Sequence, residues 1–278
     1  MNALKPLDNF PLTRSADPEE VRAALAKVYA EPTLELGRGA RKLNGRINEC
    51  RLQSIRLAYG AYGVDTCFNF PAVDCFMQIV PLRGRGEVTS RRQPVSLAAG
   101  GLTATISPDA GYLGKYSHDY EGLLLKLDRR ALKRKLSAMT GVVIDQPLKM
   151  DLQDNNGTQS AQTLHQYLRV LATMLNDARP PLPAWWVSQT EQLLMVMFLC
   201  GHRHNYSHLL EQEAADPAPW QVRKAEDYIE ANWQEPVTLE TLAEVTGVSG
   251  FSLFRAFRRI RGYSPFEFAA EVRSRNPK

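Results

Sequence analysis

The sequence predicts an α+β chain in two parts: a small β-barrel or sandwich accompanied by a helical pair, then an all-α domain built on a helix-turn-helix. Three patterns carry this reading. Between Cys50 and Leu127 short apolar runs alternate with Gly and Pro turns, which is how a set of short strands reads. Beyond residue 160 the apolar spacing becomes helical over two long stretches. Near the C-terminal end, Val237–Arg261 reads as two short helices joined by a tight turn. A length of 278 residues suits two domains, and 44% hydrophobic residues suffice for well-formed cores.

Taken in order, the first element is a helix over Asp17–Tyr29. Asp17 caps it, Pro18 occupies its first position, and Val21, Leu25 and Val28 share a face. Pro32–Arg46 is polar and Gly-containing, a loop with one short strand. The strand series follows: Arg51–Tyr59, then Val64–Phe70 after a Tyr-Gly turn, then Asp74–Leu82, with Phe76, Gln78 and Val80 on one side and Met77 and Ile79 on the other. Gly84-Arg-Gly86 is expected as a turn. Glu87–Ser90, Pro94–Leu97, Leu102–Ile106 and Gly122–Leu127 complete the set.

Ala131–Thr140 is a basic helix ended by Gly141, and Asp151–Thr158 is a polar loop. Ala161–Leu175 is amphipathic, with Leu164, Leu168, Leu171 and Leu175 at heptad-like spacing; it serves either as packing against the strands or as a homodimer seam. Pro180-Pro-Leu-Pro183 breaks it, and Trp185–Leu199, apolar on nearly all sides, is a second helix that packs. Glu211–Pro219 is acidic and Pro-broken, an interdomain linker. The expected boundaries are 1–150 for the β domain with flanking helices, 151–210 for the helical segment, 211–219 for the linker and 220–278 for the C-terminal domain.

That last domain opens with an amphipathic helix over Val222–Trp233. Thr238 then caps a helix whose buried pair is expected to be Leu242 and Ala243, and Gly247 stops it. Ser249 caps the next helix, lined on one face by Leu253, Phe257 and Ile260. A helix in this position enters the major groove with its N-terminal residues against base edges. The candidate DNA-contacting residues are Ser249, Gly250, Phe251, Ser252, Phe254, Arg255, Arg258, Arg259 and Arg261. Arg255 can offer a bidentate fork to a guanine and a Phe can touch a thymine methyl, whereas Arg258, Arg259 and Arg261 suit phosphates. The alternative is a helical hairpin with a solvated basic face. A net charge of +4 is mildly basic, with many cations at the C-terminal end.

The run from Ala225–Ile229 through Pro236–Leu242, Gly247-Val-Ser249, Leu253–Phe257 and Gly262/Ser264-Pro265 resembles the first helix-turn-helix of the AraC/XylS family of bacterial transcription regulators. Members of that family carry two such motifs joined by a long helix. Here the chain ends at Glu271-Val-Arg-Ser-Arg-Asn-Pro-Lys278, so the expectation is a truncated domain with the first motif only.

The strand region is similar to the cupin-like barrel or jelly-roll that serves as sensor in one branch of the family. The similarity lies in Leu57-x-Tyr59-Gly60, Met77-Gln-Ile-Val-Pro-Leu-Arg-Gly84, Ile106-Ser-Pro108 and Ser117-x-Asp119. The resemblance implies a small effector, an aromatic or carboxylic metabolite, double-stranded DNA and RNA polymerase as partners, and an activator. A small barrel can hold one small ligand. Tyr59, Phe76, Gln78, Arg83 and Tyr116 are the effector candidates, against the alternative that the aromatics are core and Arg83 a turn residue.

Other chemistries are not expected. Cys50, Cys67, Cys75 and Cys200 show no Cys-x-x-Cys spacing and read as reduced thiols of a cytoplasmic protein. No signal-length or membrane-spanning apolar run is present. His204 and His208 have i, i+4 spacing, but no third ligand completes a metal set with His202. No phosphate loop or nucleophile elbow occurs. Neither cofactor, metal, catalytic residue nor enzyme activity is expected. The competing function is a ligand-sensing or dimerising protein that binds DNA weakly or through a partner.

Overall fold

The structure, a computed structural model, describes residues 5–40, 42–152, 159–178, 182–211, 219–235 and 237–276. The chain divides into two compact units, Met1–Leu132 with Leu148–Asn205, and Lys133–Pro147 with Tyr206–Lys278. Residues 133–147 therefore group with the C-terminal helices rather than with the strands that precede them, unlike the division expected at residue 150. Most of the expected linker, most of the polar loop after Asp151, and Pro180, Pro181 and Pro236 lie outside the described residues.

The first unit begins β1 (Pro11–Ser15), α1 (Pro18–Val28), β2 (Thr33–Leu36), β3 (Gly45–Arg51), β4 (Ile55–Ala61) and β5 (Thr66–Phe70). It continues with β6 (Cys75–Arg83), β7 (Arg85–Ser90), β8 (Gln93–Ala98), β9 (Ala104–Ile106), β10 (Tyr112–Tyr116) and β11 (Glu121–Asp128), which runs into α2 (Arg129–Thr140). The strands form a six-stranded sheet, β1-β3-β4-β11-β6-β9, and a five-stranded sheet, β2-β5-β10-β7-β8. Pairing is antiparallel, and the two sheets close as a cupin-like jelly-roll on a core that includes Val21, Ile47, Phe68, Met77, Ile79, Val88, Leu97 and Ile106.

Alternation along β6 sends Cys75, Met77 and Ile79 into that core and Phe76 and Gln78 to the opposite face. The opposite face is covered by α3 (Gln159–Asp177) and α4 (Ala184–Gly201). Leu164, Leu168, Leu171 and Leu175 are all fully buried within the single chain, so this row packs the unit together and is not an open dimer seam. Glu191, the one charged residue of α4, is buried and fastens that helix to the sheet. Its carboxylate accepts from the Ser54 and Ile55 amides at 2.6 and 2.9 Å and from the Ser54 hydroxyl at 3.1 Å.

Three strands escaped the sequence pattern: β1, β10, and β3, whose Gly45–Arg51 falls between a stretch read as loop and a strand read from Arg51. β1 is short and half exposed. β10 lies between β5 and β7, yet Gly114 interrupts its apolar run. The Tyr116 ring covers that gap: a methyl group at Gly114 would fall 2.6 Å from the Tyr116 hydroxyl. The expected turn at Gly84-Arg-Gly86 is shorter than read. Only Gly84 adopts positive φ (69°), and Arg85 and Gly86 already belong to β7.

The second unit holds α5 (Ser207–Glu211), α6 (Pro219–Ala231), α7 (Leu239–Thr246), α8 (Gly250–Arg261) and α9 (Pro265–Arg275), together with α2 from Lys133 onward. The Thr238 hydroxyl accepts from the Thr241 amide, Gly247 closes α7 at φ 71°, and the Ser249 hydroxyl accepts from the Ser252 amide, as the sequence implied. The core comprises Val222, Ala225, Ile229, Leu242, Leu253, Ala256, Phe257 and Phe268. The buried partner of Leu242 on α7 is Thr246, not Ala243. The Thr246 hydroxyl donates to the Leu242 carbonyl at 2.7 Å, which lets a polar side chain be buried. Among the described residues no helix is long and apolar enough to cross a membrane.

Candidate functional site

The sequence points to two sites, one in each unit. In the second, α8 buries Leu253, Ala256 and Phe257 and turns Phe251, Arg255, Arg258 and Arg259 outward. Phe251 is 68% exposed at the N-terminal end of the helix, where burying an aromatic ring would otherwise be favourable. The Arg255 guanidinium lies 5.9 Å from the Phe251 ring centroid, and Arg258 stacks likewise on Phe254 at 6.0 Å. Arg255 forms no ion pair among the described residues, so its fork stays available.

The other DNA candidates divide by what they touch. Ser249 and Ser252 are buried, with hydroxyls 2.8 Å apart: Ser249 is the cap of α8 and Ser252 supplies the amide it accepts, which engages both in this conformation. Gly250 lets α8 approach α7 closely: a methyl group there would fall 2.8 Å from the Leu239 Cβ. Arg258 pairs with Glu267 at 3.0 Å. Arg261 forks onto Glu226 at 2.9 and 2.7 Å, and the same carboxylate accepts from Tyr263. The sequence could not show these carboxylates, because they come from α6 and α9.

In the first unit a small cavity of about 40 Å³ lies inside the jelly-roll. Tyr29, Tyr62, Phe70, Tyr112, Tyr116 and Tyr120 border it, with Ile47 and Ile79. Ring centroids stand 4.4 Å apart for Tyr116 and Tyr120, 5.7 Å for Tyr62 and Tyr116, and 4.7 Å for Phe70 and Tyr112. Burial pushes the phenols of Tyr29, Tyr62, Tyr112, Tyr116 and Tyr120 above their ordinary pKa, so they remain neutral O–H donors. A pocket for a metabolite-sized ligand usually measures ~300 Å³ or more. Such a guest therefore requires these rings to move.

Of the five effector candidates, only Tyr116 has its ring among these aromatics. Phe76 lies 6.3 Å from the Phe198 ring of α4. Gln78 is bonded to Thr103 and Thr105 and lies 3.3 Å from His165 of α3, on the helix-covered face. Tyr59 borders the cavity, but its hydroxyl donates to Glu121 at 2.7 Å, and Lys5 holds the other carboxylate oxygen at 2.8 Å. Burial pushes Glu121 up, but the bonds from Lys5 and Tyr59 outweigh it and bring the carboxyl below its ordinary range. Arg83 is exposed at the end of β6.

Sequence reasoning missed Tyr29, Tyr62, Tyr112 and Tyr120. A signal existed in Gly60-x-Tyr62, Gly114-x-Tyr116 and Tyr120-x-Gly122, where a tyrosine two residues from a glycine lies over it. Tyr116 also lines an outer depression of about 480 Å³, together with Gly37, Asp65, Thr66, Arg85, Lys115 and Ser117. The Thr66 hydroxyl there is buried without a hydrogen-bond partner among the described residues.

His202 and His204 are buried, with ring nitrogens 2.7 Å from the Phe198 carbonyl and 3.2 Å from the Leu199 carbonyl. Among the described residues no three His, Cys, Asp or Glu side chains gather as a metal site. Burial pushes Cys50 and Cys75 up to about 11, which keeps them thiols.

Comparison with known proteins agrees with this architecture. The probable thc operon regulatory protein of Rhodococcus erythropolis is 32% identical over 148 residues, covering 51% of this chain and 43% of that protein. The chain thus matches less than half the length of that relative. The crystal structure of the AraC-like transcriptional activator CuxR aligns over 95% of this chain and 92% of its own, at 15% identity and a TM-score of 0.50. A probable AraC family transcriptional regulator from Rhodopseudomonas palustris CGA009 is 53% identical over 20% of this chain and 51% of that one, with a TM-score of 0.20. The AraC-binding-like domain matches residues 21–200, well over half the chain, and the protein belongs to that family, the AraC-like regulators with a sensor domain.

Proposed function

We propose that this chain regulates transcription by binding promoter DNA through α8, and that a small molecule acting on the jelly-roll changes how well it does so. The observation that carries the DNA reading is the outward Phe251–Arg255 pair at the N-terminal end of α8, set on a helix whose other side is fully buried. A stacked Phe and an unpaired guanidinium are suited to a thymine methyl and a guanine edge. The AraC-like relatives favour an activator that touches RNA polymerase.

The effector is proposed to reach the tyrosines from the outer depression by displacing Tyr116, which borders both spaces. It can act only by binding two conformations with different affinity. Val170 and Met174, one turn apart on α3, and Leu193 on α4 are exposed apolar side chains for a homodimer to cover.

Arg255→Ala tests the DNA reading. It should relax sequence preference at one base pair, costing roughly 1–3 kcal/mol on the preferred duplex and little on random duplex. Equal losses on both would contradict a base-reading role.

A further inference from the structure

The helix-turn-helix domain carries less available positive charge than its arginines suggest. Between residues 219 and 276 eight lysines and arginines stand against eight aspartates and glutamates. Arg258 and Arg261 are further engaged by Glu267 and Glu226. Affinity for duplex DNA rises with the number of phosphates neutralised, so α8 alone is a sparse surface for a polyanion.

A second source of charge lies in the same unit. Lys133–Pro147 belongs to it, and Lys133, Arg134 and Lys135 stand in succession on α2. Arg134 is exposed, and the other two are partly so. Arg134 and Lys135 form no ion pair among the described residues, and Lys133 donates only to the Asp145 backbone carbonyl at 3.4 Å. Asp145 is the sole carboxylate of this segment, and its side chain accepts from the Gln146 amide and the Tyr206 hydroxyl.

The end of α2 is fixed against the reading head. Gly141 leaves the helix at φ 71°, and a methyl group there would fall 3.0 Å from the Ser249 amide nitrogen and 3.3 Å from Val248. Ser249 is the cap of α8. At 1.5 Å per residue, Arg134 lies about 10 Å along α2 from this contact, roughly three phosphates along one strand.

We propose that Lys133, Arg134 and Lys135 form a second contact to the DNA backbone, beside the N-terminal end of α8, that adds affinity without reading sequence. This rests on the DNA-binding reading above. The test is titration of the full chain against a preferred and a random duplex at several salt concentrations, comparing wild type, Arg134→Ala/Lys135→Ala and Arg134→Lys/Lys135→Arg. The alanine pair should flatten the slope of log affinity against log salt by about 1.8 on both duplexes, at about 0.9 per phosphate contact. The ratio between the duplexes should stay within about twofold, and the charge-preserving pair should keep the wild-type slope. An unchanged slope in the alanine pair, or an equal flattening in both pairs, would overturn the second contact alone. A wild-type chain that binds neither duplex at low salt would overturn the DNA-binding reading with it.

Discussion

Glu191 shows what a single residue decides. It is the only charged side chain in α4, and it is buried because the start of β4 needs it: two backbone amides and a hydroxyl converge on its carboxylate. Glu191→Ala would leave the buried Ile55 amide and the part-buried Ser54 amide without acceptors. That should cost about 2–4 kcal/mol of stability, since an orphaned buried amide costs about 1–3 and the part-buried one adds about 1. Urea denaturation measures it, and a variant as stable as wild type would contradict the anchoring role. The lone carboxylate in an apolar helix was visible in the sequence, but its partners, some 137 positions away, were not. The same limit applies to Arg258 and Arg261. Their outward placement on α8 followed from helical spacing, whereas the carboxylates that hold them come from other helices.

Helix caps were the most legible elements. Asp17, Thr238 and Ser249 sit at helix starts as expected, because a hydroxyl or carboxylate accepts an otherwise orphan amide within three residues, and Ser264, read only as part of a turn, is a fourth. At α9 the cap is reciprocal: Ser264 accepts from the Glu267 amide, and Glu267 accepts from the Ser264 amide at 2.6 Å. Ser264→Ala should cost about 0.5–2 kcal/mol in thermal or urea unfolding of this unit. The bond from the Ser264 amide, with help from its hydroxyl and from Arg258, holds the Glu267 carboxyl below its ordinary pKa. A depressed folded pKa gives stability that is complete above the ordinary carboxylate range, near pH 4.3, and is lost as pH falls through it and below. The difference in Tm between wild type and Glu267→Ala should thus narrow from pH 7 to pH 3. A difference that widens on acidification would contradict the cap.

Most strands were legible as strands, but their faces were not. β6 is buried on both sides, one by the opposite sheet and one by α3 and α4, so its apolar pattern carries no sign of which side is inside. For that reason Phe76 and Gln78 were read as cavity residues although they face the helices. β10 failed for a different reason: Gly114 weakens the local pattern, and its compensation by the Tyr116 ring is a packing relation that spacing alone does not show.

For the whole molecule, the consequential feature is that the chain does not divide where its sequence composition changes. The segment 133–147 begins within the helix that follows β11 in the chain but belongs to the unit that holds α8. Within that unit the residue after α2, Gly141, packs against Val248 and Ser249 of the helix-turn-helix. Composition placed a basic helix there; tertiary contact alone shows which unit it serves.

Sequence-specific DNA binding is tested most directly by binding of the full chain to duplex from its own upstream intergenic region and to random duplex, at about 50 and about 200 mM salt. Tighter binding to the upstream duplex is expected at both concentrations, with affinity for both duplexes falling steeply as salt rises while the preference persists. Equal affinity for the two duplexes at both concentrations would contradict it.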